Sequence, residues 1–481
     1  MPPSLRSVVG LEVHVQLATR TKLFSSCPFV LSGPNECVSP LDGAIPGTMP
    51  SLNNHALKVA VKTALLLNCS IPLFSSFARK HYFYADMPAG YQITQQSHPV
   101  AKDGLFSFHI LREGTSEIKT VPILQLQLEQ DSGKSIHEGR SSLVDLNRAG
   151  CALVEIVTGP SFTNGLDASS FIRQLRLVLI HHSISEGQMH KGQLRVDANV
   201  SLQGDNWKGQ RTEIKNMNSI SDVESAIGYE IERQIEIVKG GKEVQFETRT
   251  VNHEGRTVRM REKERTDYRF LHEPNLPRVE VCDSLREECS LDLEGNECLY
   301  EVLVNHCDFS PQSAVYLNED EYLSSFISSC QLHRLSAIGG SFFMHWLTEL
   351  KQVCQRKKAS FPPTNTLFPS LFAEIVIMNK EGRVTKLVTL DALRAFEEGV
   401  HHKTAYEWVQ SQSLWRIYSP DQIKEIVQKV VNEMSEIDKK KAQEGNKKIL
   451  QRLRNKVLAI SSKRVEVEDA RHFVEEIVNL L

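Results

Sequence analysis

The chain has 481 residues, of which 41% are hydrophobic and 24% charged, and its formal net charge is −3. That is the composition of a soluble globular protein with two or three domains and sizeable cores. So small a charge argues against a polyanion binder along the whole length, while leaving room for a local basic patch. The ten cysteines contain no C-x-x-C pair, which suits reduced thiols rather than a disulfide framework. No apolar run reaches the ~18–20 residues of a membrane span.

In chain order, "VVGLEVHVQL" (8–17) alternates Val9, Leu11, Val13, Val15 and Leu17 with Glu12, His14 and Gln16. Period two predicts a strand with one apolar face and one carrying a carboxylate, an imidazole and an amide. This strand begins so early that either no signal or transit peptide is needed, or the true start lies upstream. In 123–135, Leu124, Leu126 and Leu128 alternate with Gln125, Gln127 and Glu129. In "ALVEIV" (152–157) the lone Glu155 interrupts an apolar run, so the strand is expected to be covered on both faces and its carboxylate to need a partner or a metal. "LRVDANVSL" (194–202) sets Arg195, Asp197, Asn199 and Ser201 against an apolar face, and "RTEIK" (211–215) puts Arg211, Glu213 and Lys215 on one side.

Residues 1–283 thus read as mostly strand, with one clear helix. Ser221 and Glu224 form a capping-box pattern, Val223, Ile227 and Ile231 make the stripe, and Gly240-Gly241 ends it. The segment 280–301, with eight acids against one arginine, is expected to begin a helical region that covers 284–364. From about 365 to 481 the pattern is helical throughout. The segment 438–464 carries ten Lys/Arg against two acids. It is either a solvated helix face or an RNA phosphate contact through residues such as Lys440, Lys447 and Arg454.

Any one of these strands could simply have a solvated outer face. As a set, their polar faces hold Glu, His, Asp, Asn and Gln, the residue types of hard-metal and phosphate sites. Several carboxylates with one histidine suit Mg²⁺ or Mn²⁺, which points to metal-assisted phosphate chemistry. "DSGKS" (131–135) is not a P-loop, because Leu128 stands where the pattern needs glycine. His81, His98 and His253 read as ordinary surface or core histidines.

Eight stretches, among them "VGLEVHVQL", "YFYADMPAGYQITQQ" (82–96), "QLEQDSGKSIH" (127–137), "DLNRAGCALVEIVTGP" (145–160) and "MREKERTDYRFLHEPNLP" (260–277), occur in an order that resembles the B subunits of the glutamyl-tRNA(Gln) amidotransferase, the GatB/GatE family. The likeness is dense over 8–280 and returns weakly after 365. It implies an α+β fold: an N-terminal, mainly antiparallel β-sheet cradle, a helical middle and a YqeY-type helical tail that binds tRNA. It also implies a reaction. ATP and Mg²⁺ serve to phosphorylate the γ-carboxylate of Glu-tRNA(Gln), and ammonia from a partner amidase (A) subunit, in a complex with a small C-type subunit, displaces the phosphate. The carboxylate must be converted because its own leaving group is hydroxide-like, and water must be kept from the acyl phosphate.

On the resemblance, Glu12, His14, Glu129 and Glu155 are the metal ligands. Glu213, Asp197 and Asn199 complete a second ion site or orient phosphates. Lys134, Arg195, Lys215 and Arg261 pair with nucleotide or substrate charge, unless they are structural ion pairs. Tyr91 and Gln92 line the acceptor-end entry or the ammonia route. The sequence departs from many bacterial members at Gln130, where they have a second Glu. It departs again at Ser25, Cys27, Ser39 and Asp42, which match a four-cysteine zinc knuckle and predict no zinc here. "YADMPAGYQIT" resembles animal mitochondrial members and implies a mitochondrial location without a membrane anchor. A non-catalytic tRNA-binding scaffold and a carboxylate-activating, ATP-dependent ligase for another substrate are the competing readings.

Overall fold

The computed structural model describes residues 5–30, 33–112, 117–252, 254–262, 268–399 and 402–480, and the side chains of 261 and 262 lie outside the description. The chain divides into two compact units, Met1–Cys298 and Leu299–Leu481. No described helix is long and apolar enough to cross a membrane.

The strands of the first unit are β1 (Arg6–Gln16), β2 (Phe74–Ser75), β3 (Ala78–His81), β4 (Tyr91–Thr94), β5 (Ala101–His109), β6 (Ile118–Gln130), β7 (Lys134–Glu138), β8 (Ser141–Asp145), β9 (Ala152–Thr158), β10 (Leu194–Gly204), β11 (Trp207–Lys208), β12 (Thr212–Met217), β13 (Glu247–Val251), β14 (Thr257–Glu262), β15 (Leu271–His272) and β16 (Val279–Glu280). Its helices are α1 (Asn54–Leu66), α2 (Gly165–His181), α3 (Ile220–Lys239) and α4 (Asp283–Leu291). The main sheet runs β14-β13-β12-β10-β1-β9-β6-β5, with β11 beside β10. It is antiparallel except between β12 and β13, and the α3 segment supplies the crossover that a parallel pair requires. A smaller sheet, β15-β3-β4, and the hairpin β7-β8 stand apart from it.

One face of the main sheet is apolar. Val9, Leu11, Val13 and Val15 of β1 and Val196, Ala198, Val200 and Leu202 of β10 are buried there. Helix α1 packs on β5 and β6, α2 on β5, and α3 on β10 and β12. Phe171 of α2 meets Phe106, Phe108 and Phe162 with ring centroids 5.6, 5.5 and 5.2 Å apart, the edge-on geometry that aromatic quadrupoles favour. Gly165 opens α2 because a Cβ there would sit 2.1 Å from the Glu224 carbonyl oxygen of α3.

The structure corrects three details of the sequence reading. Residues 1–283 hold α1 and α2 as well as α3. Helix α3 is capped by Ser219, whose side chain accepts from the Asp222 N–H, two residues before the expected Ser221. In β6 the register against β9 shifts between Ile123 and Gln125. That bulge turns Leu124 outward, leaving it 49% exposed, while Leu126 and Leu128 stay in the core; an inserted residue breaks the two-residue alternation at one point.

The second unit is helical: twelve further helices lie between Leu299 and Asn479 among the described residues. Its last four, α13 (Pro420–Asn432), α14 (Glu436–Gln443), α15 (Lys447–Ile460) and α16 (Val467–Asn479), enclose a core that includes Val427, Val430, Leu453, Val457, Val474 and Val478.

Candidate metal and phosphate site

The opposite face of the main sheet is polar. Strand register puts His14 of β1 opposite Glu155 of β9, and Glu155 opposite Gln127 of β6. Glu129, two residues beyond Gln127, is on the same side. His14 Nδ1 lies 3.3 Å from Glu129 Oε1, and one ligand atom from each of His14, Glu129 and Glu155 falls within 4.8 Å of the others. Thr94 of β4 donates to Glu129 Oε2 at 3.1 Å, and the Gln127 amide donates to Glu155 Oε2 at 2.5 Å. Both carboxylates are buried. Such a group needs a charge partner, because taking it from water is costly.

The titration of these groups follows from that crowding. Burial lowers the His14 pKa, but its hydrogen bond to Glu129 and the charges of Glu155, Glu129 and Asp197 raise it to about 9. Burial pushes the Glu129 carboxyl up, and His14, Lys80 and Thr94 outweigh it and hold the carboxyl below the ordinary range. Glu155 goes the other way: burial raises it, the Glu129 charge adds to that, and His14 only partly compensates. A cation placed among them would relieve the repulsion. One imidazole and two carboxylates are donors that fit Mn²⁺ or Mg²⁺.

A second constellation adjoins the first. Glu12 faces Asp197 in the β1–β10 register, and its Oε1 accepts from Asn199 Nδ2 at 2.9 Å. Lys215 Nζ sits 3.2 Å from Asp197 and 3.7 Å from Glu213, and Thr248 donates to Glu213 at 2.9 Å. Burial lowers the Lys215 pKa, but Asp197, Glu213 and Glu12 raise it further and keep the ammonium charged. At the other end, Arg195 donates to Asp131 Oδ2 at 2.9 Å, with Arg148 Nε 3.4 Å from the same oxygen. Arg195 Nε is buried with no hydrogen-bond partner among the described residues.

The polar face therefore gathers Glu12, His14, Glu129, Glu155, Asp197, Asn199, Glu213, Lys215 and Arg195. Glu12 is engaged by Asn199 and is not one of the three converging donors. Lys134 is not gathered: it opens β7 in the separate hairpin and is exposed. The Arg261 side chain and His253 lie outside the described residues. Tyr91 stacks under the Arg79 guanidinium at 4.3 Å, and Gln92 donates to the Gln130 carbonyl at 2.7 Å. Sequence reasoning missed Thr94, Asp131, Arg148 and Lys80. They reach the site from neighbouring loops and the small sheet, so no alternation within one strand marks them.

Residues 7–287, more than half of the chain, match the model of the GatB/GatE catalytic domain. The chain belongs to the GatB/GatE family. Among its relatives is the B subunit of the mitochondrial glutamyl-tRNA(Gln) amidotransferase of Aedes aegypti, 48% identical over 301 residues, which are 61% of this chain and 57% of that protein. The Danio rerio protein of the same name is 36% identical across 99% of this chain and 90% of its own length. The B subunit of the aspartyl/glutamyl-tRNA(Asn/Gln) amidotransferase of Thermotoga petrophila is 36% identical across 89% and 90%. Every residue of the polar face lies inside the span matched to the GatB/GatE catalytic domain.

At the positions matched to the zinc knuckle, Asp42 is bound to Lys22, whose ammonium is fully buried and lies 2.8 Å from Asp42 Oδ2 and 2.8 Å from the Cys37 carbonyl. The Gln130 amide reaches Met87 Sδ at 3.9 Å, away from the converging carboxylates.

Proposed function

We propose that this chain is the carboxylate-activating subunit of an amidotransferase that converts Glu-tRNA(Gln) to Gln-tRNA(Gln). In this reading, a γ-carboxylate oxygen of the tRNA-bound glutamate attacks the γ-phosphorus of ATP and ADP departs. Ammonia, released from glutamine by an amidase (A) subunit, then attacks the acyl carbon, phosphate leaves with the bonding electrons, and the amide nitrogen loses a proton.

The observation that carries the reading is the convergence of His14, Glu129 and Glu155 beside Arg195 and Lys215, in a chain of the GatB/GatE family. His14, Glu129 and Glu155 would hold Mg²⁺ or Mn²⁺. When bound, the ion supplies charge neutralisation for the transferring phosphoryl group. Arg195, anchored on Asp131 and with its buried Nε–H left without a hydrogen-bond partner among the described residues, would supply positive charge to an anionic oxygen. Lys215 is kept charged by Asp197 and Glu213 and offsets phosphate charge. Glu12, Asp197, Asn199 and Glu213 orient that lysine or complete a second ion site, and Lys134 and Arg261 would pair with nucleotide charge. The burial of the carboxylates favours exclusion of water, which would otherwise compete for the acyl phosphate.

The names of the relatives support a mitochondrial location and a multi-subunit assembly, in this reading with amidase and small C-type subunits. Residues 1–283 would carry the chemistry, 284–364 a helical middle, and 365–481 a YqeY-type tail that contacts the tRNA. Because the Gln130 amide reaches Met87 Sδ and not the carboxylate cluster, the missing charge there gives no support to a scaffold role. The test is ATP hydrolysis by the complex with and without Glu-tRNA(Gln), with the esterified amino acid identified afterwards. Turnover that requires the charged tRNA and yields Gln-tRNA is expected. Tight tRNA binding without turnover would make the chain a scaffold.

A further inference from the structure

Beside the carboxylate cluster, a run of aromatic rings has no role in the chemistry above. Tyr82 follows β3, and its ring lies 5.6 Å from that of Tyr84 and 6.5 Å from that of Tyr268. Tyr268 in turn lies 6.2 Å from Phe270. The segment is fixed to the small sheet: the His81 N–H donates to the Tyr268 carbonyl at 2.9 Å, and β15 pairs with β3. Yet the outer rings are left to solvent. Phe270 is 38% exposed and Tyr84 52%. Clustered exposed apolar surface of this kind marks a candidate binding site.

Two features decide what binds. The Lys80 ammonium stands 5.0 Å over the Tyr268 ring, and its charge also acts on Glu129 and Glu155. The rings are joined to the cluster through short contacts: Tyr82 Oη donates to Gln92 Oε1 at 3.3 Å, and Gln92 donates to the backbone of Gln130, next to Glu129. Tyr268 and Phe270 stand edge-to-face, at 67°, so one ring can offer its face while the other backs it. An exposed ring with a cation beside it, at the edge of a site for an RNA-borne carboxylate, matches the way proteins take unpaired nucleotides: bases stack on aromatic faces and cations offset the phosphates. The substrate's amino acid is esterified to the terminal ribose. Its base is therefore tied to the reacting carboxylate through the ribose and the aminoacyl group, and must be held close to the cluster.

We propose that the exposed Phe270 ring, backed edge-on by Tyr268 and with Lys80 beside it, is the stacking platform for the unpaired 3′-terminal base of the tRNA. This deepens the proposed function and rests on it.

The test uses the full chain in complex with its amidase partner and a tRNA carrying 2-aminopurine at the 3′-terminal position. Binding is expected to quench the fluorophore through stacking. The double variant Tyr268→Leu/Phe270→Leu is expected to lose the quench and to raise the tRNA Kd about tenfold, with the salt dependence unchanged because no phosphate contact is removed. Tyr268→Phe should keep both. Binding without a quench in the unsubstituted complex overturns the platform and leaves the function reading standing, and this arm decides even if the double variant misfolds. A quench that persists in the folded double variant also overturns it. So does a quench abolished by excess ATP while the RNA stays bound, which would assign the rings to the nucleotide base. If the tRNA does not bind at all, the function reading fails and the platform with it.

Discussion

His14 and Glu129 meet at 3.3 Å across a strand that belongs to neither, since β9 lies between β1 and β6 and contributes Glu155 to the same patch. Three strands must be in register for this contact to exist. A slip of one residue in any of them would send its polar side chain to the apolar face.

Removing the central carboxylate tests the patch most directly. Glu129→Gln keeps the shape and the Thr94 hydrogen bond but removes the charge. The expected result is a fall of at least ~100-fold in tRNA-dependent ATP turnover, since even outer-shell changes at metal sites cost 10–100-fold. Melting should remain cooperative by circular dichroism. Turnover within a few-fold of the original would remove Glu129 from the site.

The raised His14 pKa makes metal binding pH-dependent. The imidazole must lose its proton to ligate, and its folded pKa is about 9. Metal affinity should therefore rise by about tenfold per pH unit between roughly pH 7 and 9, more steeply below pH 7 where Glu155 must also lose a proton, and level off above 9. Mn²⁺ titrated calorimetrically at pH 7, in two buffers of different ionisation enthalpy, should show release of more than one proton: nearly one from His14 and part of another from Glu155, whose carboxyl is pushed up to about 7. Without metal the linkage has the opposite slope. A pKa raised above the ordinary 6.5 contributes stability that is fully present below pH 6.5 and is lost as the pH rises through about 9. A pH-independent Mn²⁺ affinity would show that His14 is not a ligand.

Lys22 and Asp42 form an internal cross-link of the loop that follows β1. Both side chains are buried, at 0% and 3% exposure. Lys22→Met would strand the Asp42 carboxylate and should cost about 3–5 kcal/mol. Lys22→Met/Asp42→Asn should recover a large part of that, because no charge is left unpaired. Urea unfolding of the three proteins measures both. The same loop has one cysteine among the four matched positions, and Lys22 already engages Asp42, so elemental analysis of the purified protein should find no stoichiometric zinc.

What the sequence could reveal depended on how one-sided each element is. Strands β1 and β10 bury every second residue, so the alternation placed Glu12, His14, Asp197 and Asn199 on one face. Helices α1 and α2 escaped notice because burial wraps nearly all the way round them. In α2 it takes in Asp167, Ser169, Ser170 and Gln174 as well as the apolar residues, and a stripe that wide loses its 3.6-residue signature. Leu124 was misplaced because a bulge has no local composition signal. Asp131 and Arg148 entered the site through loop geometry, which alternation does not encode. Lys134 carried the family pattern but sits on a hairpin outside the main sheet.

The basic tail separates into faces that the sequence alone blurs. On α15, Lys448, Arg452 and Lys456 recur every four residues and are exposed along one stripe, lining a shallow groove of about 530 Å³. Lys447 and Arg454 line a different cavity of about 380 Å³ with Arg471, and Lys440 belongs to α14. The apolar side of α15, Leu453, Val457 and Leu458, is buried. Charge reversal of Lys448, Arg452 and Lys456 together therefore leaves the helical core intact. If the stripe tracks an RNA backbone, filter binding should show a raised tRNA Kd. The slope of log K against log salt should shrink by about two to three, near 0.7–0.9 for each phosphate no longer neutralised. Lys440→Glu alone should change both far less. A triple variant with unaltered Kd and unaltered slope would establish that the stripe is a solvated face and that the tRNA is gripped elsewhere.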